Sequence, residues 1–221
     1  MGEELELPDV LWGARSEPGQ PGERFIDYFP AFVVSPDGRR AYIVHADTDR
    51  ITVVNLEAMR ILRSSNLRPR TSLLERFLSF LAKDAHADGR WPYYEKWATI
   101  SADGRFLYVG GGHALPARPD SWVVGVYPDE SAGLRMIDTE SLEIIAEIKP
   151  GGECVYKNLA THPSGRYLYA NTYGTDPGQT GRPKRCRDLQ GGGGLLVFDA
   201  GTLEVIASRS SGGAVLFAPA E

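Results

Sequence analysis

The chain has 221 residues, of which 42% are hydrophobic and 24% charged, and its formal net charge is -5. These values are typical of a globular protein with one sizeable core, and the acidic balance argues against a nucleic-acid surface, which needs a basic stripe. No apolar run approaches the length of a membrane span. Two cysteines, Cys154 and Cys186, are too few for a disulfide framework. We interpret them as unrelated thiols, with a single bridge as the alternative in an exported protein.

The chain repeats one pattern three times, at residues 32–44, 98–109 and 159–170. Each copy is an apolar segment, a four-residue turn, then Gly-Arg and an apolar segment that contains a tyrosine. In the first turn Pro36 presets φ, Asp37 tolerates the second corner, and Gly38 takes the left-handed conformation. The pattern therefore predicts a tight β-hairpin in each copy.

A second hairpin follows each of these, at residues 50–61, 133–144 and 194–205. The polar residue that ends its first strand (Asn55, Asp138 or Asp199) can bond its own backbone and start a turn. Four strands in order a-b-c-d form the blade of a β-propeller. We predict an all-β fold with one propeller domain over residues 1–221, its blades at about residues 30–67, 98–153 and 154–213.

The repeats resemble the YVTN-type and lactonase-like propellers of bacteria and archaea, which are similar to WD40 repeats. The resemblance rests on Ser-Pro-Asp-Gly-Arg followed by Tyr-Ile-Val, and on Arg-Met-Ile-Asp-Thr-Glu-Ser-Leu-Glu-Ile-Ile. It implies the fold, and it carries over no catalytic residue. Members of this group are often extracytoplasmic, whereas the acidic segment at residues 1–8 lacks a secretory signal, which favours the cytoplasm.

Three insertions interrupt the repeats, at residues 66–97, 112–132 and 174–193. The first joins strand d to the next strand a, and the other two join b to c. In an a-b-c-d blade both kinds of connection lie on the same face, opposite the short turns. Long loops grouped on one side of a rigid scaffold are where binding usually occurs, so we predict a binding surface on this face.

The first insertion contains a helical pattern. Five apolar side chains fall on one face of residues 72–83, and Thr71 or Ser72 can cap its start. A membrane-surface helix would carry a basic face, which this one lacks. We therefore predict a helical insertion at residues 68–97 that packs on the propeller.

The ends of the chain do not form complete blades. Residues 1–29 contain one predicted strand at 9–13. Residues 213–221 align with 30–38, which predicts the start of a further blade at 214–221. Three blades and a partial one fall short of the usual minimum of about four. The sequence leaves three interpretations: a piece of a longer propeller, a ring completed by homo-oligomerisation, or closure by degenerate terminal strands.

Candidate ligand-binding residues were sought on the insertion side. They combine imidazoles, carboxylates, aromatic rings and a basic cluster: His45, Asp47, His113, Trp122, Tyr173, Arg182 and Arg185. His45 and His113 are also weak candidates for metal ligands, although their spacing matches no metal motif. Aromatic residues on loops suit recognition because they bury a large area at low entropic cost.

The function favoured by the sequence is binding. No nucleophile, nucleotide or paired-cysteine motif is present, so no cofactor is predicted. The glycine runs at 110–112 and 191–194 precede no helix, and we interpret them as hinges between strands and loops. We predict a binding or scaffold module for a protein or small ligand. The alternative is an enzyme or metal site at the propeller mouth.

Overall fold

The computed structural model describes residues 12–16, 25–46, 50–67, 93–116, 124–127, 133–148, 154–174 and 193–209, together with Leu7 and Val10. All regular elements within these ranges are β-strands. No helix in the described part of the chain is long and apolar enough to cross a membrane. Residues 68–92 of the predicted helical insertion lie outside the described residues, and so does the strand predicted at 214–221. Residues 93–97 of that insertion are already part of a β-strand that begins at Tyr93, so the predicted end of the insertion was too late.

Two short strands precede the first blade: β1 (Gly13–Ser16) and β2 (Phe25–Phe29). They pair with each other as an antiparallel hairpin. The strand predicted at residues 9–13 was placed too early, because β1 begins only at Gly13 and neither Val10 nor Trp12 is in a strand. The hairpin partner β2 was not predicted. Strand β2 depends on a long-range contact, because it pairs with a strand of blade two that lies far along the chain.

Blade one is a four-stranded antiparallel meander of β3 (Ala31–Val34), β4 (Arg40–Val44), β5 (Arg50–Asn55) and β6 (Arg60–Asn66). Blade three has the same order in β12 (Cys154–Thr161), β13 (Tyr167–Gly174), β14 (Gly193–Asp199) and β15 (Val205–Arg209). These sheets confirm the predicted a-b-c-d arrangement.

Blade two uses β7 (Tyr93–Ile100), β8 (Phe106–Pro116), β10 (Leu134–Asp138) and β11 (Ile144–Ile148), and β9 (Val124–Tyr127) adds to β8. Strand β2 pairs with β7 in parallel, with Phe29 opposite Glu95. Because β3 begins only two residues after β2 ends, the chain passes directly from the sheet of blade two into blade one.

Blade two corrects two predictions. The glycine run at 110–112 lies inside β8, so the interpretation of this run as a hinge was wrong. The insertion at 112–132 begins as sheet, because β8 continues to Pro116 and pairs there with β9. Part of this insertion therefore extends the blade and is not a free loop.

The second hairpin of each described blade contains a residue with a left-handed backbone, which the turn residues do not predict. Met59, Leu142 and Leu203 occupy equivalent positions and have φ of 43°, 61° and 60°. Bulky residues rarely adopt this left-handed conformation. Leu142 and Leu203 are only 3% and 4% exposed, so burial of their side chains in the core compensates for the backbone strain.

The core consists of two layers between the blades. Blade one packs on blade two through a cluster that includes Tyr42, Val53, Leu107 and Ile137. Blade two packs on blade three through a cluster that includes Tyr108, Met136, Leu168 and Phe198. Successive side chains of a strand point to opposite faces, so the middle sheet supplies one face to each layer.

Candidate functional site

The two ends of the blades differ in construction. The antiparallel registers place all a–b and c–d turns at one end, which we call the turn face. All b–c and d–a connections begin and end at the other, which we call the insertion face. The topology predicted from the sequence thus holds for the strands a to d of the three described blades.

The turn face consists of closed, self-bonded loops. Asp37 accepts hydrogen bonds from the Ser35 hydroxyl (2.5 Å) and the Arg39 backbone N–H (3.0 Å). Asp103 accepts the same pair from Ser101 and Arg105. The c–d turn is tied to the a–b turn by backbone bonds in each blade, such as Thr139 N–H to the Arg105 carbonyl at 2.9 Å. The carboxylates of Asp37 and Asp103 therefore stabilise the turns.

The same hydrogen bonds set the acidity of the turn carboxyls. The Ser35 hydroxyl lowers the pKa of Asp37, and the Ser101 hydroxyl lowers the pKa of Asp103. The backbone N–H of Ser141 lowers the pKa of Asp138. In each case the backbone of the turn or a neighbouring hydroxyl favours the ionised form.

These shifts predict a loss of stability in acid. A folded pKa below the unfolded value of 3.8 contributes stability above that pH, and the contribution disappears as the pH falls through the folded pKa. The variant Asp37→Asn/Asp103→Asn/Asp138→Asn should therefore melt a few degrees below wild type at about pH 5, and the gap should narrow steadily as the pH is lowered below 3.8. Thermal unfolding followed by circular dichroism measures both.

A matched control removes three exposed carboxylates near the c–d turns: Glu57→Gln/Glu140→Gln/Glu204→Gln. Its melting temperature should follow wild type across the same pH range. If the aspartate variant also keeps a constant gap to wild type in acid, the turn carboxylates do not contribute in this way.

A cleft of about 300 Å³ opens on the turn face between blades two and three. Its polar lining consists of Ser101, Asp103, Ser164 and Arg166. The Tyr108 hydroxyl, also in the lining, donates to the Ala200 carbonyl at 2.8 Å. Burial raises the pKa of Tyr108 to about 12, so its phenol stays neutral. The sequence did not predict this cleft, because the turn motif does not show which two turns meet.

On the insertion face, the first two strands of blades two and three extend further than those of blade one. Strands β7, β12 and β13 have eight residues each and β8 has eleven, whereas β3 and β4 have four and five. The extra residues lie at the insertion end of each strand. Lys157 and Glu95 form an ion pair there, with side chains 20% and 17% exposed, and it joins β12 to β7.

Two glycines allow these strands to come close. A Cβ at Gly110 would lie 2.5 Å from the Tyr156 carbonyl oxygen of blade three. A Cβ at Gly111, where φ is +109°, would lie 2.3 Å from the Glu95 carbonyl oxygen. Only glycine fits such approaches, so the glycine run serves as a contact point between backbones.

His45, at the end of β4, is fully buried, with 0% exposure. The Arg50 guanidinium donates to its Nδ1 at 3.2 Å, and its Nε2 lies 2.8 Å from the Thr52 hydroxyl. Because arginine can only donate, neutral His45 carries its proton on Nε2 and donates it to Thr52. This arrangement favours a structural role for His45, since each ring nitrogen already has a hydrogen-bond partner.

Two other predicted site residues lie on the strands of the insertion face. His113 is in β8, opposite Tyr94 and Tyr127, and Tyr173 is in β13, opposite Val155. Asp47, Trp122, Arg182 and Arg185 lie outside the described residues. In the described part of the chain, no three side chains of His, Cys, Asp or Glu are grouped so that they could hold a metal ion.

The fold and the two faces define an all-β protein built from four-stranded β-propeller blades. No protein-family model matches the chain, and no curated protein sequence is significantly similar to it. Solved structures similar in fold include the hydrazine synthase of Kuenenia stuttgartiensis, with 18% identity, 85% of this chain and 39% of that chain covered, and a TM-score of 0.46.

Two further structures show the same likeness. The RRP9 WD40 repeats match at 14% identity, with 89% of this chain and 41% of that chain covered and a TM-score of 0.47. A protein of Lactobacillus plantarum matches at 15% identity, with 86% and 46% covered and a TM-score of 0.45. The chain thus spans less than half the length of these structures, and the likeness concerns the fold alone.

Proposed function

We propose that the chain is a β-propeller binding module that recognises a partner protein through its insertion face. The observation that supports this most directly is the unequal construction of the two ends of the blades. The turn face ends in short loops whose polar groups bond one another. The insertion face consists of extended strands from two blades, and these carry the longest connections.

A protein suits this surface better than a small ligand. The extended ends of β7 and β8 pair with each other, as do those of β12 and β13, and together they form the base of the connections. The Lys157–Glu95 ion pair joins the two blades across this base. Loops on such a base combine fixed position with adaptable sequence. The connections contain Trp91, Trp122 and Tyr127, and aromatic residues dominate the energetics of protein interfaces.

The proposal is tested by site-specific photo-crosslinking. A photo-reactive phenylalanine analogue replaces Trp122, in the connection between β8 and β9, or Tyr173, at the insertion end of β13. Ala102 and Glu140 on the turn face are the matched control positions. Each variant is irradiated in an extract of the source cells, and adducts are identified by mass spectrometry. We expect one discrete adduct from positions 122 and 173, which an excess of unlabelled wild-type protein abolishes. Adducts from the turn face alone, or from all four positions equally, would contradict the proposal.

We also propose that the blades are of the YVTN and lactonase-like type and form one domain. The sheet order of the three blades and their shared turn chemistry support this assignment. The first hairpin of each blade closes with the same backbone bond, from Gly38 to Ser35, Gly104 to Ser101 and Gly165 to His162. A domain of this kind should unfold in a single transition, which calorimetry measures.

A further inference from the structure

The two interfaces between blades use the same positions. Tyr42, Ile51 and Val53 of blade one pack on blade two. The equivalent residues of blade two are Tyr108, Leu134 and Met136, and they pack on blade three. All six are 2% exposed or less. The positions equivalent to these in blade three are Tyr169, Leu195 and Val197, which we call the trailing face. These residues are only half-buried.

The residues on the other side of the interface also have equivalents in the neighbouring blade. Ala98, Ile100 and Ile144 of blade two pack against the core that blade one supplies. The equivalent residues of blade one are Phe32, Val34 and Ile61, which we call the leading face. They are 47%, 53% and 43% exposed. Trp12 stacks on Phe32 with ring centroids 5.4 Å apart and extends this apolar surface.

Each interface also contains a hydrogen bond to one backbone position. The Tyr108 hydroxyl donates to the carbonyl of Ala200, and the Arg63 guanidinium donates to the carbonyl of Thr139 at 2.9 Å. Ala200 and Thr139 are equivalent, each following the aspartate of its c–d turn. The residue at this position in blade one is Leu56, at the edge of the leading face. Tyr169 brings a phenol to the position that Tyr108 occupies.

We propose that the trailing face of one copy packs on the leading face of a second copy of this chain. The two surfaces continue an interface that the structure already forms twice, with the same residue types at the same positions. Two copies related by a two-fold axis make this contact twice and leave neither surface exposed. The three blades that the structure describes in each copy number six in two copies, within the usual range of about four to eight blades in a propeller.

This inference concerns the sides of the outer blades and does not depend on the partner of the insertion face. Exposed apolar surface of this kind marks interaction sites, and the amino acids on the two surfaces identify the occupant. The leading face is equivalent to Ala98, Ile100 and Ile144. It can therefore pack against the trailing face, which is equivalent to Tyr42, Ile51 and Val53. A second copy carries both surfaces.

The test is the mass of the chain in solution, measured by light scattering during gel filtration. Wild type should have twice the chain mass of 24.2 kDa. Val34→Asp and Val197→Asp should each weaken association at least about tenfold, because a charge is buried at the contact. An equimolar mixture of the two variants should form a dimer again, since one retains its trailing face and the other its leading face.

A matched control is Ile145→Asp, which adds the same charge at a residue that is 52% exposed and lies outside both surfaces. It should remain dimeric, and circular dichroism checks that every variant is folded. A monomeric wild type at all concentrations would overturn the proposal and indicate that other blades cover these surfaces. A dimer that either variant leaves intact, or that the mixture does not restore, would also overturn it.

Discussion

The variant Gly111→Ala should lose about 3 kcal/mol or more of its free energy of unfolding. Two effects add at this position. The backbone has φ of +109°, which a residue with a Cβ rarely adopts, and the Cβ would lie 2.3 Å from the Glu95 carbonyl oxygen and 2.9 Å from the Lys96 Cα. Because these contacts are backbone atoms of the neighbouring strand, no side chain can move to relieve them. Urea denaturation followed by fluorescence measures the loss.

Two further glycines separate the effects. Gly38 has φ of +70° and nothing within 4 Å of its Cβ position, so Gly38→Ala should lose only about 1 kcal/mol. Gly110 has a close approach to Tyr156 of blade three without the left-handed backbone, so Gly110→Ala should fall between the two. Equal losses in all three variants would show that the close approaches in β8 do not matter for stability.

The second large effect is expected at the ion pair between Arg135 and Glu147. The Arg135 Nε donates to Glu147 Oε1 at 2.7 Å, and the Arg135 side chain is 2% exposed. Removal of Glu147 takes away the counter-charge that contacts the buried Arg135 Nε. Glu147→Ala should therefore cost about 3 kcal/mol of the free energy of unfolding, measured by urea denaturation.

The matched variant removes the other partner. Arg135→Met replaces the buried cation by an apolar side chain of similar length, and a buried ion pair is often no more stable than such a replacement. It should cost less than Glu147→Ala, because Glu147 is partly exposed at 24% and can be hydrated. A smaller loss for Glu147→Ala than for Arg135→Met would contradict the argument that charge burial dominates here.

Local chemistry explains why the hairpins were predicted correctly from the sequence. In the a–b turns, Ser35 and Asp37 bond each other and Gly38 closes the turn, and none of these contacts reaches beyond six residues. Local hydrogen bonds explain the c–d turns only in part. Asp138 accepts from Ser141 as a turn aspartate should, but the left-handed Leu142 depends on burial between blades, which local propensity does not describe.

The parts that were missed depend on residues far apart in the chain. A glycine run normally indicates a break in a strand, and it lies within β8 because backbones from β7 and β12 approach it. The parallel pair of β2 and β7 joins residues near 28 and 94. His45 differs in this respect, because Arg50 and Thr52 are only five and seven residues away in the chain, but they reach its ring only once β5 pairs with β4.

The sequence by itself determined the blade, its strand order and the face from which the insertions arise, because turn residues and strand alternation act over a few neighbouring residues. Only the tertiary structure decided how the blades meet: the glycine contact point in β8, the Lys157–Glu95 ion pair, the burial of His45, and the leading and trailing faces. Each of these depends on the packing of one sheet against another, and that packing follows from the summed shape and burial of many side chains.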